Sequence, residues 1–293
     1  MNYSIENDKI KVVISDLGAE LQSIYGKSTN FEYLWQGHKD FWTGKAVNVF
    51  PICGRLYQGV YTYKGKEYSL PCHGFVGKQV FKAEQISSDK IVFSLKNNKE
   101  TEENYPFEFL FKVIYSIDGS TLNTEFAVEN IGDKELLFSL GGHPGFNVPL
   151  ENGLEFSDHY LEFNNACAPK KLMLSKTCFC LDKTEPFELE NDKVLNLKHE
   201  LFDNDAIFLA DMASGITLKS NKTNRFVKVE YSNMKYLGFW HTPKSSAPFV
   251  CIEPWTGIPS SDGIVDNFET KNEITHLKKD KTFNASFKVT VNE

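Results

Sequence analysis

Four short stretches of the chain combine Gly and Pro with a polar side chain in apolar surroundings. They cover residues 50–55, 71–75, 141–146 and 251–257, and they supply Arg55, His73, His143 and Glu253. Gly and Pro set unusual backbone angles at strand ends, and a Glu between Ile252 and Pro254 is costly to bury without partners. One such stretch alone is most often a turn. Four that together deliver Arg, two His and Glu predict an acid–base site.

A site of this kind suits proton transfer to and from a small molecule. Histidine titrates near neutral pH and can therefore arrive protonated, while a carboxylate accepts a proton elsewhere on the same molecule. Each positioned proton-transfer group typically contributes about 10²–10⁴-fold to a rate. Arginine adds a fixed fork of hydrogen-bond donors that can hold the molecule in place.

The elements that position these residues are predicted to be strands. Apolar residues alternate with mostly polar ones over residues 107–117 and 122–128, on either side of Asp118-Gly119-Ser120, which predicts a hairpin. The same period of two recurs at residues 10–14, 61–63, 91–95, 226–231 and 283–289. No apolar stripe at helical spacing persists for twelve residues, although short helices near Phe41 or Asp266 are compatible with the pattern.

The predicted fold class is therefore all-β, a large antiparallel β-sandwich formed by residues 1–293 as a single domain. Residues 97–104, which are crowded with Asn, Lys and Glu, are predicted to form a solvated loop.

Composition excludes several classes of partner. The formal net charge of -7 argues against nucleic acid and anionic membranes, because both need a basic face. No apolar run approaches the ~20 residues of a membrane span, and the residues after Met1, which have neither a basic start nor an apolar core, lead us to expect no secretory signal. The six cysteines are expected to be reduced thiols of a cytoplasmic protein. No His/Cys group has zinc-like spacing, so no metal is predicted.

Two sequence strings carry a resemblance to a known family. Gly-His-Pro-Gly-Phe at residues 142–146 and Glu-Pro-Trp-Thr-Gly at residues 253–257, in this order, resemble the aldose 1-epimerase (galactose mutarotase) family, in particular its bacterial LacX-like branch. The likeness begins around Gly18-Ala19-Glu20-Leu21 and Leu34-Trp35 and covers nearly the whole chain. The resemblance implies a β-supersandwich, a cleft that binds a pyranose, and neither metal nor cofactor.

The resemblance also implies a role for each residue of the acid–base set. Glu253 matches the general base that removes the proton from the anomeric hydroxyl O1, and His143 matches the general acid that protonates the ring oxygen O5. Opening the ring, rotating about C1–C2 and closing on the other face needs both transfers. His73 matches a histidine that hydrogen-bonds near the ring oxygen, and Arg55 matches the arginine that orients sugar hydroxyls.

Further cleft residues follow more loosely from the same resemblance. Asp205 is the best match to an acidic sugar-binding residue that lies between the catalytic histidine and glutamate, and a simple turn Asp remains the alternative. Trp240, His241 and Phe146 are expected to line the cleft.

Two alternative functions stay open at this level. A related branch acts on hexose 6-phosphates and carries an arginine shortly after His-Gly-Phe, where this chain has Gly77. The neighbouring Lys78 would point elsewhere on a strand of period two and lacks the bidentate fork, so a free aldose is favoured. A non-catalytic sugar-binding protein is the second alternative, but it would need no acid–base pair such as His143 and Glu253. The sugar's identity and the oligomeric state are left open.

Overall fold

The computed structural model describes residues 1–292, which consist mainly of strands. In chain order the strands are β1 Asn2–Glu6, β2 Ile10–Ser15, β3 Leu21–Gly26, β4 Phe31–Glu32, β5 Ala46–Val49, β6 Val60–Tyr63, β7 Lys66–Ser69, β8 Lys82–Ser87, β9 Lys90–Lys96, β10 Phe109–Asp118, β11 Thr121–Asn130, β12 Leu136–Phe138, β13 Gly141–Asn147, β14 His159–Phe163, β15 Lys170–Leu174, β16 Cys180–Pro186, β17 Val194–Asn196, β18 Ile207–Ala210, β19 Gly215–Ser220, β20 Phe226–Ser232, β21 Tyr236–Trp240, β22 Phe249–Trp255, β23 Asp266–Asn267, β24 Thr275–Leu277 and β25 Thr282–Val291. The helices are α1 Lys99–Asn104 and the 3₁₀ turns Tyr57–Gly59, Val76–Lys78, Phe156–Asp158 and His199–Phe202.

Two large antiparallel sheets dominate the architecture. The first has nine strands in the order β17-β14-β19-β20-β25-β11-β10-β9-β8, and the second has seven in the order β16-β15-β18-β21-β22-β13-β5. Smaller sheets are formed by β1 to β4, by β23-β6-β7 and by β12-β24. The predicted all-β sandwich is confirmed. The assignment of residues 1–293 to one domain stays a prediction.

The core lies between the two large sheets. In β10 every second side chain is buried, as the alternation of the sequence requires. Phe111 on this strand stacks on Phe50 with ring centroids 4.7 Å apart, and an aromatic pair adds about 0.5–1.5 kcal/mol beyond its buried area. From the seven-stranded sheet, Gly142 approaches so closely that a Cβ there would lie 2.7 Å from Phe287 on β25. This side of β13 therefore faces the nine-stranded sheet, and the opposite side is free to form a site.

The helical predictions were wrong in detail. Residues 97–104, predicted to be a loop, contain α1, because Asn98 and Thr101 form a capping box at its start. The Asn98 side chain accepts a hydrogen bond from the Thr101 N–H at 3.0 Å, and the Thr101 hydroxyl accepts one from the Asn98 N–H at 2.9 Å. The short helices that the pattern allowed do not form, because Phe41 lies in a bend and Asp266 begins β23. Within residues 1–292 no helix is both long and apolar enough to span a membrane.

Candidate active site

A cleft of about 380 Å³ opens on the side of the seven-stranded sheet that faces away from the nine-stranded sheet. It collects six of the eight residues that the sequence proposes for the site, namely Arg55, His73, His143, Asp205, Trp240 and Glu253. Three of them lie on the strands β13, β21 and β22 and three in loops, and their positions span most of the chain. Only the folded sheet brings them together.

The central feature of the cleft is the pair formed by His143 on β13 and Glu253 on β22. These strands are hydrogen-bonded neighbours, with Gly141 opposite Trp255 and Gly145 opposite Cys251, so the two side chains emerge side by side. Nε2 of His143 lies 3.5 Å from Oε2 of Glu253. His143 is 8% exposed and Glu253 1% exposed. Each also keeps one buried polar atom without a hydrogen-bond partner, Nδ1 of His143 and Oε1 of Glu253.

Burial acts on the two partners in opposite directions. It raises the pKa of the Glu253 carboxyl well above its ordinary value, and the charge of Asp205 adds to this. It lowers the pKa of the His143 imidazole well below its ordinary value, and His73 beside it acts in the same direction. Both shifts disfavour an isolated charge in the low-dielectric floor of the cleft. The pair is therefore best described as holding one proton between two atoms that can exchange it.

His73 presents a proton donor to the same cleft. Its backbone adopts a φ of 64°, and the following Gly74 has a φ of 75° and lies so close to Phe50 that a Cβ would clash with the Phe50 carbonyl. The N–H of Gly54 donates to Nδ1 of His73 at 3.3 Å, which leaves the proton on Nε2. Burial, together with the positive charge of Arg55, lowers the pKa of His73 to about 4. His73 is thus a neutral donor near pH 7, with its ring 5.2 Å from that of His143.

Arg55 and Asp205 form the polar rim of the cleft. Nη2 of Arg55 lies 3.7 Å from Oδ2 of Asp205, and Nη1 donates to the Thr177 carbonyl at 3.3 Å. The thiol of Cys178 donates to Oδ2 of Asp205 at 2.7 Å, a contact that the sequence did not predict. Arg55 is the only Lys or Arg among the described residues that line the cleft. The rim therefore offers one guanidinium and one carboxylate to a polar ligand.

Aromatic rings form the walls around the acid–base pair. Trp42 and Trp240 flank His143, with ring centroids 4.9 Å and 5.7 Å from the imidazole. The two indoles meet edge to face at 5.6 Å, and Trp255 lies deeper, with its indole N–H bonded to the Gly142 carbonyl. Sequence reasoning missed Trp42. The only sequence feature that marks Trp42 is the aromatic pair at residues 41–42, and the apolar pattern there is compatible with a short helix.

Two expectations about the cleft were wrong, and so was the assignment of Lys78 to a strand. Phe146 is fully buried in the core, because it lies an odd number of positions from His143 on β13 and so projects from the opposite face. His241 is also fully buried, with Nε2 3.1 Å from Nδ1 of His199 and Nδ1 2.7 Å from the Thr242 carbonyl. Lys78 belongs to a 3₁₀ turn and not to a strand, and it is absent from the described lining of the cleft.

Comparison with known proteins gives a consistent result. The family model described as aldose 1-epimerase matches residues 1–278. The plasmid-encoded protein LacX of Lactococcus lactis subsp. lactis is 34% identical over 300 residues, which cover 99% of each chain. A galactose mutarotase related enzyme from Lactobacillus acidophilus has a solved structure with a TM-score of 0.96 and 35% identity, covering 100% of this chain and 98% of its own. A galactose mutarotase-like protein from Lactobacillus casei has a TM-score of 0.93 and 30% identity, covering 100% of both chains.

These matches span the strands that carry the cleft as well as the core, and they confirm both the predicted family and the likeness to LacX. The protein is accordingly an enzyme of the epimerase class, and the chain belongs to the aldose 1-epimerase family.

Proposed function

We propose that this protein is an aldose 1-epimerase that interconverts the α and β anomers of a free aldose. The observation that carries the proposal is the buried pair of His143 and Glu253, 3.5 Å apart at the floor of an open cleft. Among the relatives, rat galactose mutarotase is 26% identical over 155 residues, which cover 47% of this chain and 44% of the rat protein. Its name points to the same reaction.

The geometry supports a mechanism in which two protons move in opposite directions. Glu253 removes the proton from O1 while His143 delivers a proton to O5, so the C1–O5 bond breaks and a carbonyl forms at C1. Rotation about C1–C2 and the reverse transfers then close the ring on the other face. Ring opening starts from the form with the proton of the pair on His143 and ends with it on Glu253, which is the form that burial favours. The pair keeps the same net charge throughout, which suits a floor where burial disfavours any added charge.

The remaining cleft residues suit recognition of a pyranose. The Nε2–H of neutral His73 can donate to an oxygen close to His143, while Arg55 and Asp205 offer donors and acceptors to ring hydroxyls. Trp42 and Trp240 provide apolar faces on either side of the imidazole, where the C–H surface of a sugar ring can pack.

The charges of the cleft favour a free aldose over a sugar phosphate. A phosphate group carries close to two negative charges and is best held by Arg. Arg55 is already 3.7 Å from Asp205, and the described lining contains no second cation. At Gly77, the position where the phosphate-specific branch is expected to carry arginine, a Cβ would lie 3.3 Å from the Val47 side chain. The Val47 side chain would therefore have to shift by a few tenths of an ångström to admit a longer side chain there.

Polarimetry tests the proposal. Freshly dissolved α-D-glucose, α-D-galactose and α-D-glucose 6-phosphate are followed with and without the protein at one ionic strength. We expect faster decay of optical rotation for at least one free aldose, in proportion to protein concentration. A rate equal to the spontaneous rate for every sugar would refute the proposal, and a preference for the phosphate would place the protein with the sugar-phosphate epimerases.

A further inference from the structure

A cysteine lies directly beside the acid–base pair and takes no part in the mechanism above. Cys251 precedes Glu253 by two residues on β22, so both side chains project from the same face of the strand. Cys251 is fully buried and packs with Trp35 and Phe249 beneath the indoles that form the cleft wall. One potential ligand atom each from His143, Cys251 and Glu253 lies within 4.8 Å of the other two.

The three atoms form a donor set with a distinct chemical preference. An imidazole nitrogen, a sulfur and a carboxylate oxygen are the ligands of zinc-type cations, and three protein ligands with one open position are common at zinc. Metal–ligand bonds of about 2.0–2.3 Å in a tetrahedron separate the ligand atoms by about 3.3–3.8 Å. The Nε2–Oε2 distance of 3.5 Å already meets this requirement. The sulfur of Cys251 lies at most 4.8 Å from the other two ligand atoms, so a side-chain rotation of about 1 Å brings it into range.

The surroundings provide a second reason for a ligand at this point. Oε1 of Glu253 and Nδ1 of His143 are buried and have no hydrogen-bond partner. Buried polar atoms in native proteins are nearly always paired, so an orphaned carboxylate oxygen calls for an explanation. A cation held by the carboxylate would compensate its burial, and it has a route inward because His143 and Glu253 both line the open cleft.

We propose that His143, Cys251 and Glu253 bind a thiophilic divalent cation of the zinc type, and that the bound cation blocks the acid–base pair. On binding, the S–H bond of Cys251 breaks, a sulfur–metal bond forms and the proton passes to solvent, with no change in oxidation state. The cation occupies the atoms that would otherwise exchange protons with a sugar, so turnover stops until a chelator removes it. The cation site is inferred from the positions of the three donor atoms alone, whereas the block of turnover rests on the function proposed above.

Cobalt(II) is the probe for the site, because a cobalt–thiolate bond has a charge-transfer absorption that other ligands lack. The protein is titrated with cobalt(II), and the bound metal is counted after gel filtration. We expect one cobalt per chain with the thiolate band, and loss of the band in Cys251→Ala. Cys178→Ala is the matched control, since Cys178 is a thiol that lines the same cleft outside the three-donor group. Its band should persist.

The second readout is zinc sensitivity, expressed for each variant as the ratio of its mutarotation rates with and without zinc. At saturating zinc the mutarotation rate of the wild-type protein should fall at least ~10-fold and recover in EDTA. The rate of Cys251→Ala should fall by less than ~5-fold under the same conditions. If Cys251→Ala does not fold, His143→Gln removes a ligand from the other strand and should weaken cobalt binding at least ~10-fold.

Several results would overturn the proposal. A cobalt band that is absent, that survives Cys251→Ala or that disappears in Cys178→Ala would show that these three residues do not form the site. An undiminished mutarotation rate when the cobalt–thiolate band is saturated would show that the bound cation does not block the acid–base pair. A cobalt band in a protein that accelerates no sugar's mutarotation would leave the metal site standing and refute the proposed function instead.

Discussion

Replacing Glu253 by Gln should abolish most of the activity while leaving the fold intact. Gln has the same size and keeps one carbonyl oxygen, but it cannot take the proton from O1. The loss of a general base is expected to lower kcat by about 10²–10⁴-fold, which corresponds to about 2.7–5.5 kcal/mol in the activation barrier.

The effect on stability should be small. Glu253 is 1% exposed, burial raises the pKa of its carboxyl, and its Oε1 has no partner. Burial disfavours the charged forms of both Glu253 and His143, so Gln replaces a group of the same size without leaving an unpaired charge, and the free energy of unfolding should change little. We expect a change of no more than about 1 kcal/mol.

Glu32→Gln is the matched control. Burial raises the pKa of this carboxyl too, but it accepts hydrogen bonds from the N–H groups of Ile24 and Leu34, at 2.8 Å and 3.0 Å, and lies outside the cleft. We expect the reverse outcome, a loss of about 1–2 kcal/mol in stability with kcat retained. Polarimetry and urea unfolding on both variants give the two quantities. A folded Glu253→Gln protein with the wild-type kcat would refute the assignment of the base.

Three further predictions concern the rim, the buried histidine and the choice of sugar. Arg55→Lys removes the guanidinium fork beside Asp205 and should raise KM about 5–20-fold with a smaller change in kcat, whereas an unchanged KM in polarimetric kinetics would exclude Arg55 from binding. Burial lowers the pKa of His241 to about 4, so between pH 6.5 and 4 the unfolded chain binds a proton that the folded chain does not. As the pH is lowered through this range, the free energy of unfolding should therefore fall by up to about 1.4 kcal/mol per pH unit. In urea titrations at pH 7 and 5 this fall should be shallower for His241→Gln, and equal slopes would contradict the pKa shift. Lys78→Ala should leave kcat/KM for glucose and for glucose 6-phosphate unchanged, and a selective loss for the phosphate would show that Lys78 reaches the substrate.

The β-architecture was predictable because strand alternation is a local signal. The hairpin of β10 and β11 follows from its apolar period of two and from Gly119, whose φ of 57° turns the chain at the predicted point. The helix α1 was missed because a polar run has no apolar stripe, although Asn98 and Thr101 already carry a capping signal at the required spacing.

Site residues were predictable where a sequence motif contains them, but not where the packing of the strands determines which side chains face the cleft. The Gly-His-Pro-Gly-Phe string identifies His143, but the same string suggested Phe146, which strand geometry directs into the core. Trp42 and Cys178 come from segments with no motif of their own, and only the folded sheet brings them to the cleft. Sequence reasoning also missed the grouping of His143 with Cys251. Residues on neighbouring strands can share a ligand without any short spacing in the sequence.

The central claim is that the buried pair of His143 and Glu253 exchanges anomers and does not merely bind sugar. Magnetisation-transfer NMR at anomeric equilibrium tests it directly, because a binding protein cannot transfer magnetisation between the α and β anomeric protons of a free aldose. The account predicts that catalytic amounts of the wild-type protein produce exchange for D-galactose or D-glucose, and that Glu253→Gln reduces the exchange rate by at least ~10²-fold. Sugar binding without exchange in the wild-type protein, or undiminished exchange in the folded variant, would contradict it.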